Sequence, residues 1–148
     1  MLPATPFKPA ADATHPGDCL DTPVRTIMRP GVVCISADAS LLQAKRALVR
    51  HGVHAVLVLD HAGARPIGWV TDRGLLSWLG HDLALVSAGQ AITEPATFIE
   101  PGASAGEALE RLSDPGVSHL VVARVAGEAP QGVVAAMDLV TLVVGERR

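Results

Sequence analysis

The sequence predicts an α/β (α+β) fold in which two similar β-α-β-β-α repeats share one core with pseudo-two-fold symmetry. The 148-residue chain is 49% hydrophobic and 18% charged, so it has enough apolar side chains to bury a sizeable core. Sliding the chain against itself by about 64 residues aligns roughly 50 positions without a gap. The aligned positions include Ser40 with Ser104, Gly52 with Gly116, Pro66 with Pro130, and Gly68 with Gly132. Since one small repeat leaves an apolar face exposed, two copies are expected to bury those faces against each other.

The first half of each repeat has the pattern of a strand followed by a helix. The short apolar segments Val32–Ser36 and Thr97–Glu100 predict the strand. Leucine and alanine then recur at helical spacing, after a serine that can accept a free backbone N–H of the first turn. A glycine at the other end favours the left-handed C-terminal cap. The predicted helix runs from Ser40 to Gly52 in the first repeat and from Ser104 to Gly116 in the second.

The second half of each repeat has the pattern of two strands and a closing helix. The unbroken apolar runs Ala55–Leu59 and Leu120–Ala123 predict a strand buried on both faces. A turn at residues 61–63 or 126–128 leads to a third strand, Ile67–Thr71 or Gly132–Ala135. The closing helices are expected to begin near Asp72 and Met137 and to carry apolar side chains, namely Leu75, Leu76 and Leu79 in the first repeat and Leu139, Leu142 and Val143 in the second.

The chain divides into an N-terminal arm and the two repeats. Residues 1–21 contain several prolines and few large apolar side chains, which predicts a flexible arm or a strap on the domain surface. The repeats are assigned to residues 22–80 and 81–148. The sequence has no signal-peptide pattern, and none of its apolar stretches approaches the length of a membrane span, about 20 residues. A cytoplasmic location is therefore expected. The two cysteines, Cys19 and Cys34, are not expected to form a disulfide.

The charge and the side-chain pattern argue against several classes of function. A net charge of -3 does not favour general nucleic-acid binding, which needs a basic face. His51 and His54 straddle a predicted helix end, and no cysteine or carboxylate cluster supports them, so no metal site is expected. No Ser/His/Asp or paired-carboxylate arrangement stands out, so no enzyme activity is expected. A small anion pocket remains compatible with the charge, because a helix N-terminus can bind phosphate without an excess of lysine or arginine.

Two groups of motifs resemble a tandem pair of CBS domains. The first repeat contains Met28-Arg29-Pro30, then Val33-Cys34-Ile35-Ser36-Ala37-Asp38-Ala39-Ser40, then Ile67-Gly68-Trp69-Val70-Thr71-Asp72-Arg73. The second repeat contains Gly116-Val117-Ser118-His119-Leu120-Val121-Val122 and Gly132-Val133-Val134. The order, spacing and duplication of these motifs, from Asp21 to Glu146, make the resemblance specific.

The resemblance implies strands at the centre of the pair and helices packed outside, with a homodimer formed through those helices. It also implies clefts between the repeats that bind an adenosine-containing small molecule: AMP, ADP, ATP or S-adenosylmethionine. The family's ligand motif is a glycine, two apolar residues, a threonine or serine, two further residues and an aspartate. The hydroxyl of this motif can donate to a phosphate, and its carboxylate can accept hydrogen bonds from the ribose.

This sequence departs from that ligand motif in both repeats. Thr71 is present in the first repeat, but Gly74 stands where the aspartate is expected. Asp138 is present in the second repeat, but Ala135 replaces the hydroxyl residue. Loss of one hydrogen bond to a charged group weakens binding by about ten- to a hundredfold. The cleft that contains Asp138 is therefore predicted to be the stronger ligand site.

Four of the candidate ligand contacts lie on the two motifs, and each also has a structural interpretation. Asp138 is predicted to hold the ribose, or it favours the positive end of the last helix. Thr71 contacts a phosphate, or it caps a helix. Asp72 and Arg73 begin that helix, where Arg73 reaches a phosphate or forms a solvated surface pair with Asp72.

The other two candidate contacts, Ser118 and His119, are expected beside the edge of the adenine. His119 also fits a partly buried structural histidine. Trp69 and Trp78 are expected in the core or at a dimer interface, and an exposed Trp78 would suit a partner interface.

Two functions of different kinds fit the sequence. The first is a regulatory or sensor module in which the ligand changes contacts with a protein partner that the sequence does not identify. A ligand does this only through different affinities for two states. The alternative is a ligand-free CBS scaffold that mediates dimerisation and protein–protein interaction. In both, a homodimer is expected through apolar helix faces near Leu41–Leu48 and Leu75–Leu79 and their second-repeat counterparts.

Overall fold

Two four-stranded sheets form the centre of this computed structural model, which describes residues 19–63, 65–124 and 128–145. The α-helices are α1 (Val24–Ile27), α2 (Leu41–His51), α3 (Asp72–Leu75), α4 (Ala105–Leu112) and α5 (Ala136–Val144), with 3₁₀ turns at Leu76–Trp78, Leu83–Leu85 and Ala88–Ala91. The strands are β1 (Arg29–Pro30), β2 (Cys34–Ser36), β3 (Ala55–Leu59), β4 (Pro66–Thr71), β5 (Glu94–Pro95), β6 (Phe98–Ile99), β7 (His119–Val122) and β8 (Gly132–Ala135). None of the helices in these ranges is long and apolar enough to cross a membrane.

The two sheets have the same topology. The strand order is β2-β3-β4-β5 in one and β6-β7-β8-β1 in the other. In each, the first pair is parallel and the following pairs are antiparallel. The predicted α+β class with two equivalent repeats is therefore confirmed. The first strands are shorter than predicted, and the predicted turn at 126–128 lies outside the described residues except for Glu128.

Each sheet is completed by a short strand from the other repeat. β1 precedes the first repeat's sheet in the chain, yet Arg29 pairs opposite Val133 of β8. Its counterpart β5 pairs with the first repeat's sheet, where Glu94 lies opposite Trp69. The helical turns before these strands are exchanged as well. Val24 is buried in the core of the second repeat, and Ala88–Ala91 packs in the core of the first.

Two motif glycines allow the exchanged strands to lie close to the sheets. A Cβ atom at Gly132 would be 2.6 Å from the Arg29 carbonyl oxygen and 2.7 Å from Met28 Sδ. A Cβ atom at Gly68 would lie 2.9 Å from the Glu94 carbonyl oxygen. Side chains do not approach so closely, so a larger residue at either position would push the exchanged strand away.

The central strand β3 is buried on both faces, as predicted. Val56 and Val58 pack with the helices of their own repeat. Leu57 points the other way, as expected from the alternation of a strand, and packs with Trp69 and Val121 between the two sheets. Trp69 is thus a core residue, which confirms one of its two predicted places.

The predicted helix of the first repeat is confirmed at both ends, but that of the second repeat ends early. Ser40 Oγ accepts the Gln43 N–H at 3.1 Å, and Gly52 has a left-handed φ of 61°. In the second repeat, Ser104 caps α4 as predicted, whereas the helix ends at Leu112 rather than near Gly116. The physical reason is Pro115, whose ring disfavours a helical conformation for the residue before it.

The closing helix of the first repeat is shorter than predicted. α3 has a single turn, Asp72–Leu75, and continues as a 3₁₀ turn over Leu76–Trp78. Gly74 lies in that turn and weakens a helix by about 1 kcal/mol relative to alanine.

The predicted dimer face near Leu41–Leu48 is wrong, because Leu41 and Leu48 are buried in the core of their own repeat.

Residues 1–18 of the predicted arm lie outside the described residues. At its end, the Leu20 carbonyl accepts the Gly106 N–H at 2.9 Å, and the Thr22 carbonyl accepts the Ala105 N–H at 2.7 Å. These bonds fix the last residues of the assigned arm to the start of α4. The division at residues 21 and 80 stays a prediction.

Candidate ligand clefts between the repeats

Two neighbouring clefts lie between the repeats, and His54 and His119 line both. The first has a volume of about 460 Å³, contains Asp138 and is called the Asp138 cleft. The second has a volume of about 440 Å³, contains Thr71 and is called the Thr71 cleft. The structure thus divides the predicted site residues between two adjacent spaces, with His119 in the wall between them.

The Asp138 cleft is mostly apolar, with charged groups at one side. Its apolar wall consists of Pro30, Val32, Val33, Val53, Ala55, Trp69, Val133, Ala135 and Met137. The exchanged strand β1 supplies Arg29, and the start of α5 supplies Asp138. The two charges therefore come from opposite ends of the chain and meet because β1 pairs with β8.

Asp138 is enclosed and already engaged. Its side chain is 1% exposed, and Oδ2 accepts the Ala135 N–H at 2.7 Å. Oδ1 lies 3.5 Å from Nε of Arg29, whose side chain is 47% exposed. Asp138 therefore stabilises the start of α5, which was its structural interpretation, while it also lines the cleft.

In the Thr71 cleft, the motif residues act on their own backbone and on each other. Thr71 Oγ1 accepts the Gly74 N–H at 3.0 Å, so Thr71 is the N-cap of α3. Asp72 Oδ2 lies 2.9 Å from His54 Nδ1, and this hydrogen bond lowers the pKa of Asp72 below its ordinary value. Arg73 lines the same cleft as a surface residue.

The place of the missing aspartate in the first repeat is filled. A Cβ atom at Gly74 would lie 2.5 Å from Cγ2 and 3.1 Å from Oγ1 of Thr93. An aspartate there would meet Thr93 before it reached a ligand. A side chain at position 74 would therefore require Thr93, in the exchanged segment before β5, to shift.

A chain of hydrogen bonds joins Glu94, Ser118 and His119. Glu94 Oε1 accepts the Ser118 N–H at 2.9 Å, and Oε2 accepts the Ser118 hydroxyl at 2.7 Å. Ser118 Oγ lies 2.7 Å from His119 Nδ1. The His119 ring lies against the Trp69 ring in a tilted arrangement, with 5.1 Å between ring centroids and 37° between ring planes. Burial lowers the pKa of His119, although the charge of Glu94 opposes this, so the neutral ring is favoured.

Sequence reasoning missed two residues of these clefts, Arg29 and Glu94. They are structural counterparts, since each is the first residue of an exchanged strand. Arg29 pairs opposite Val133 of β8, and Glu94 pairs opposite Trp69 of β4. Their opposite charges make the two clefts different. The signal in the sequence was the pair Arg29-Pro30 and Glu94-Pro95, which lies one residue out of the register that aligns the rest of the repeats.

The described residues contain no group of three or more His, Cys, Asp and Glu side chains placed to hold a metal ion. Cys19 and Cys34 are both free thiols, and burial raises the pKa of Cys34. Within the same part of the chain, the enclosed Nε1–H of Trp69 has no hydrogen-bond acceptor.

Acid is expected to destabilise the fold in part through His119. Its pKa is lowered in the folded state, so below about pH 6.5 the unfolded chain binds this proton more readily and the free energy of unfolding falls. His119→Asn keeps an N–H donor for Ser118 but does not titrate. Urea unfolding near pH 7.5 and near pH 5.5 should therefore show a smaller acid-induced loss in His119→Asn than in the wild type. An equal loss in both proteins would contradict this role of His119.

The comparisons with known proteins agree with the geometry. The sequence profile of the CBS domain matches residues 24–81 and 88–145. The CBS domain of a bacterial CNNM/CorC family Mg²⁺ transporter is 26% identical, with a TM-score of 0.77 over 90% of this chain and 82% of that chain. Its complex with ATP has a TM-score of 0.75 at 26% identity, over 88% and 92% of the two chains. Hypoxic Response Protein I, crystallised with two coordinated zinc ions, shares the fold at 24% identity and a TM-score of 0.67, over 80% and 97%.

No curated protein sequence matches this chain as a relative. The family profile, however, covers both repeats, and the solved structures share the fold over most of this chain. The resemblance noted in the motifs is confirmed. The chain belongs to the CBS-domain family and contains two CBS domains in tandem.

Proposed function

We propose that this protein is a regulatory module that binds an adenosine-containing ligand in the Asp138 cleft and thereby changes its contacts with a protein partner. The observation that supports this most is the pairing of an enclosed carboxylate, Asp138, with a half-exposed guanidinium, Arg29, beside an apolar wall. A nucleotide presents the complementary groups: ribose hydroxyls, a phosphate and a flat base.

Each group of the cleft has a part in this proposal. The Asp138 carboxylate accepts hydrogen bonds from the ribose hydroxyls. Arg29 lies 3.5 Å from that carboxylate and is exposed enough to turn towards a phosphate when the ribose takes its place. The base lies against the apolar side chains, among them Val32 and Val133. Ala135 supplies no hydroxyl for the phosphate, so Arg29 takes over that role.

The Thr71 cleft fits the same ligand less well. Its wall contains the carboxylates of Asp72 and Glu94, which repel a phosphate. Thr93 fills the place of the ribose-binding aspartate. Thr71, Asp72, Arg73 and Ser118, which the sequence offered as ligand contacts, stay predictions for a weaker second site.

A comparison supports the ligand class. The CBS domain of the bacterial CNNM/CorC family Mg²⁺ transporter, similar over most of this chain, has been solved in complex with ATP. We infer the same class of ligand here: AMP, ADP, ATP or S-adenosylmethionine. None of these is proposed as a required cofactor.

A thermal-shift panel with those four compounds tests the proposal. A ligand at a hundred times its Kd should stabilise the fold by about 2.7 kcal/mol and raise Tm accordingly. If no compound raises Tm, the ligand-free scaffold becomes the better interpretation. That alternative keeps the dimer and the protein partner but no ligand.

We also propose that the protein acts without catalysis and in the cytoplasm. Ser118 and His119 are in contact, but the Ser118 hydroxyl donates its hydrogen bond to Glu94 and not to His119, so His119 does not activate it as a nucleophile. The free thiols of Cys19 and Cys34 are compatible with a reducing compartment.

We propose a homodimer formed through the outer helices. Met137, Val140 and Val144 are more than half exposed, and their spacing places them on one face of α5. Leu76 and Leu79, at the corresponding place in the first repeat, are 62% and 67% exposed. An apolar surface of this kind is typical of an interface between subunits.

Val140→Glu is expected to convert the dimer to a monomer, because a carboxylate would be buried without a partner at the centre of that face. Sedimentation at tens of micromolar, on the order of a typical dissociation constant, measures the change. Val49→Glu makes the same substitution at an exposed residue of α2 and should leave the dimer intact. A wild type that is monomeric under these conditions would contradict the dimer.

A further inference from the structure

The wall between the two clefts contains the chain of hydrogen bonds that joins Glu94, Ser118 and His119. Elementary chemistry determines which group donates in each bond. A carboxylate only accepts hydrogen bonds, so the Ser118 hydroxyl proton points to Glu94 Oε2. The Ser118 N–H bond to Oε1 holds the second oxygen and keeps the carboxylate in place. With its proton committed to Glu94, Ser118 Oγ is an acceptor for His119.

The contact between Ser118 and His119 therefore fixes the tautomer of the ring. Ser118 Oγ accepts, so His119 Nδ1 carries the proton at their 2.7 Å contact. Burial lowers the pKa of His119 and so favours the neutral ring. In a neutral imidazole with a protonated Nδ1, the other nitrogen, Nε2, carries a lone pair and accepts a hydrogen bond.

The same geometry leaves Nε2 for the Asp138 cleft. Nδ1 is bound to Ser118, which lines only the Thr71 cleft of the two, whereas His119 lines both. The tilted contact with Trp69 and the pairing of His119 opposite Ala135 restrict the position of the ring. Within the described residues, the ring forms no second hydrogen bond that would use Nε2.

We propose that Glu94 and Ser118 set His119 Nε2 as a hydrogen-bond acceptor that selects a ligand base carrying an amino group. This inference rests on the proposed function, since it concerns the base of the ligand bound beside Asp138. An amino group donates to Nε2, whereas a base without one leaves a buried acceptor unpaired. His119 is thus a specificity residue, and Glu94 and Ser118 are positioning residues that act through it.

Calorimetry with AMP and with purine riboside 5′-monophosphate, the same nucleotide without the amino group, measures this selection. The wild type should bind AMP about three- to tenfold more tightly, as expected for one neutral hydrogen bond. His119→Asn keeps the donor to Ser118 but has no Nε2, so both compounds should bind it alike. Equal affinities in the wild type, or a full preference in His119→Asn, would overturn the role of His119.

The chain of hydrogen bonds from Glu94 through Ser118 to His119 is called the relay. Nitrogen chemical shifts of the His119 ring test it without any ligand. The wild type should show a protonated Nδ1 and an unprotonated Nε2. Ser118→Ala should shift the ring towards the other tautomer and reduce the preference for AMP, whereas Ser113→Ala, a matched change at the C-terminus of α4, should alter neither. A protonated Nε2 in the wild type would overturn the relay. If neither nucleotide binds the wild type, the proposed function and the base selection fail together, and the nitrogen shifts alone decide the relay.

Discussion

Asp138→Asn is expected to weaken AMP binding by about ten- to a hundredfold, which is the loss of a hydrogen bond to a charged group. Asparagine keeps the size of the side chain and an oxygen that can accept the Ala135 N–H. In the wild type this N–H donates to Asp138 Oδ2 at 2.7 Å. It removes the negative charge that would attract both ribose hydroxyls and that now attracts Arg29. Calorimetric titration of AMP into the variant measures the loss.

Asparagine is a better test than alanine here. Alanine would leave the part-buried Ala135 N–H and the Arg29 charge without their partner, at a cost of about 1–3 kcal/mol in stability. Asp72→Asn is the matched control, because it removes a carboxylate from the Thr71 cleft and should leave the AMP affinity unchanged. If Asp72→Asn weakens AMP binding and Asp138→Asn does not, the ligand lies in the other cleft.

Gly132→Ala should destabilise the protein by about 1–3 kcal/mol, the usual cost of overpacking. The added Cβ would lie 2.6 Å from the Arg29 carbonyl oxygen and 2.7 Å from Met28 Sδ, so β1 must move away from β8. Arg29 moves with β1, and AMP affinity should fall as well. Urea unfolding and AMP titration of the same variant measure the two effects.

Gly80→Ala is the matched control for this substitution. A Cβ atom at Gly80 meets no other atom within 4 Å, and its backbone is not left-handed. Its free energy of unfolding should stay within about 0.5 kcal/mol of the wild type, as for most surface substitutions. If Gly132→Ala were as stable as Gly80→Ala, the exchanged strand would not be held as closely as the structure shows.

The exchange of strands suggests how a bound ligand would act on the whole chain. In the proposed complex, the ligand touches Arg29 of β1 and Asp138 of α5 and so joins segments from opposite ends of the sequence. It would favour the arrangement of the two repeats in which both groups reach it. A difference in affinity between two such arrangements is the coupling that regulation of a partner requires.

Features with a local cause were predicted well from the sequence. Ser40 and Gly52 bound a helix because a hydroxyl cap and a left-handed glycine act within one turn of the chain. The apolar run of β3 predicted burial on both faces, because successive side chains of a strand point to opposite faces of the sheet and all of them here are apolar. The predicted end of α4 at Gly116 was wrong, because Pro115 disfavours a helical conformation one residue earlier in the chain.

Features that depend on distant pairing were not predicted. β1 and β5 are two residues long, which is too short for a periodic pattern, and each pairs with a strand far along the chain. Gly31, with a left-handed φ of 78°, takes up one extra residue after β1, so the repeats lose their common register there. Arg29 and Glu94 therefore did not align with each other, and their opposite charges went unnoticed.

The candidate site was predicted in part for the same reasons. Asp138 lies at a motif position and does line a cleft with His119. Ser118 was expected beside the base, yet it lies between His119 and Glu94 and is hydrogen-bonded to both, and Glu94 belongs to no motif. Gly74 was predicted as a departure from the motif, but its close contact with Thr93 of the exchanged segment was not.

The most direct test of the central claim is an NMR titration of the wild type with AMP, followed through the backbone amide signals. We expect the largest shifts at Gly31, Val133 and Ala135, which line the Asp138 cleft, and little change at Thr71 and Thr93, which line the Thr71 cleft. Shifts centred on Thr71 and Thr93, or no shifts at saturating AMP, would contradict the assignment of the ligand to the Asp138 cleft.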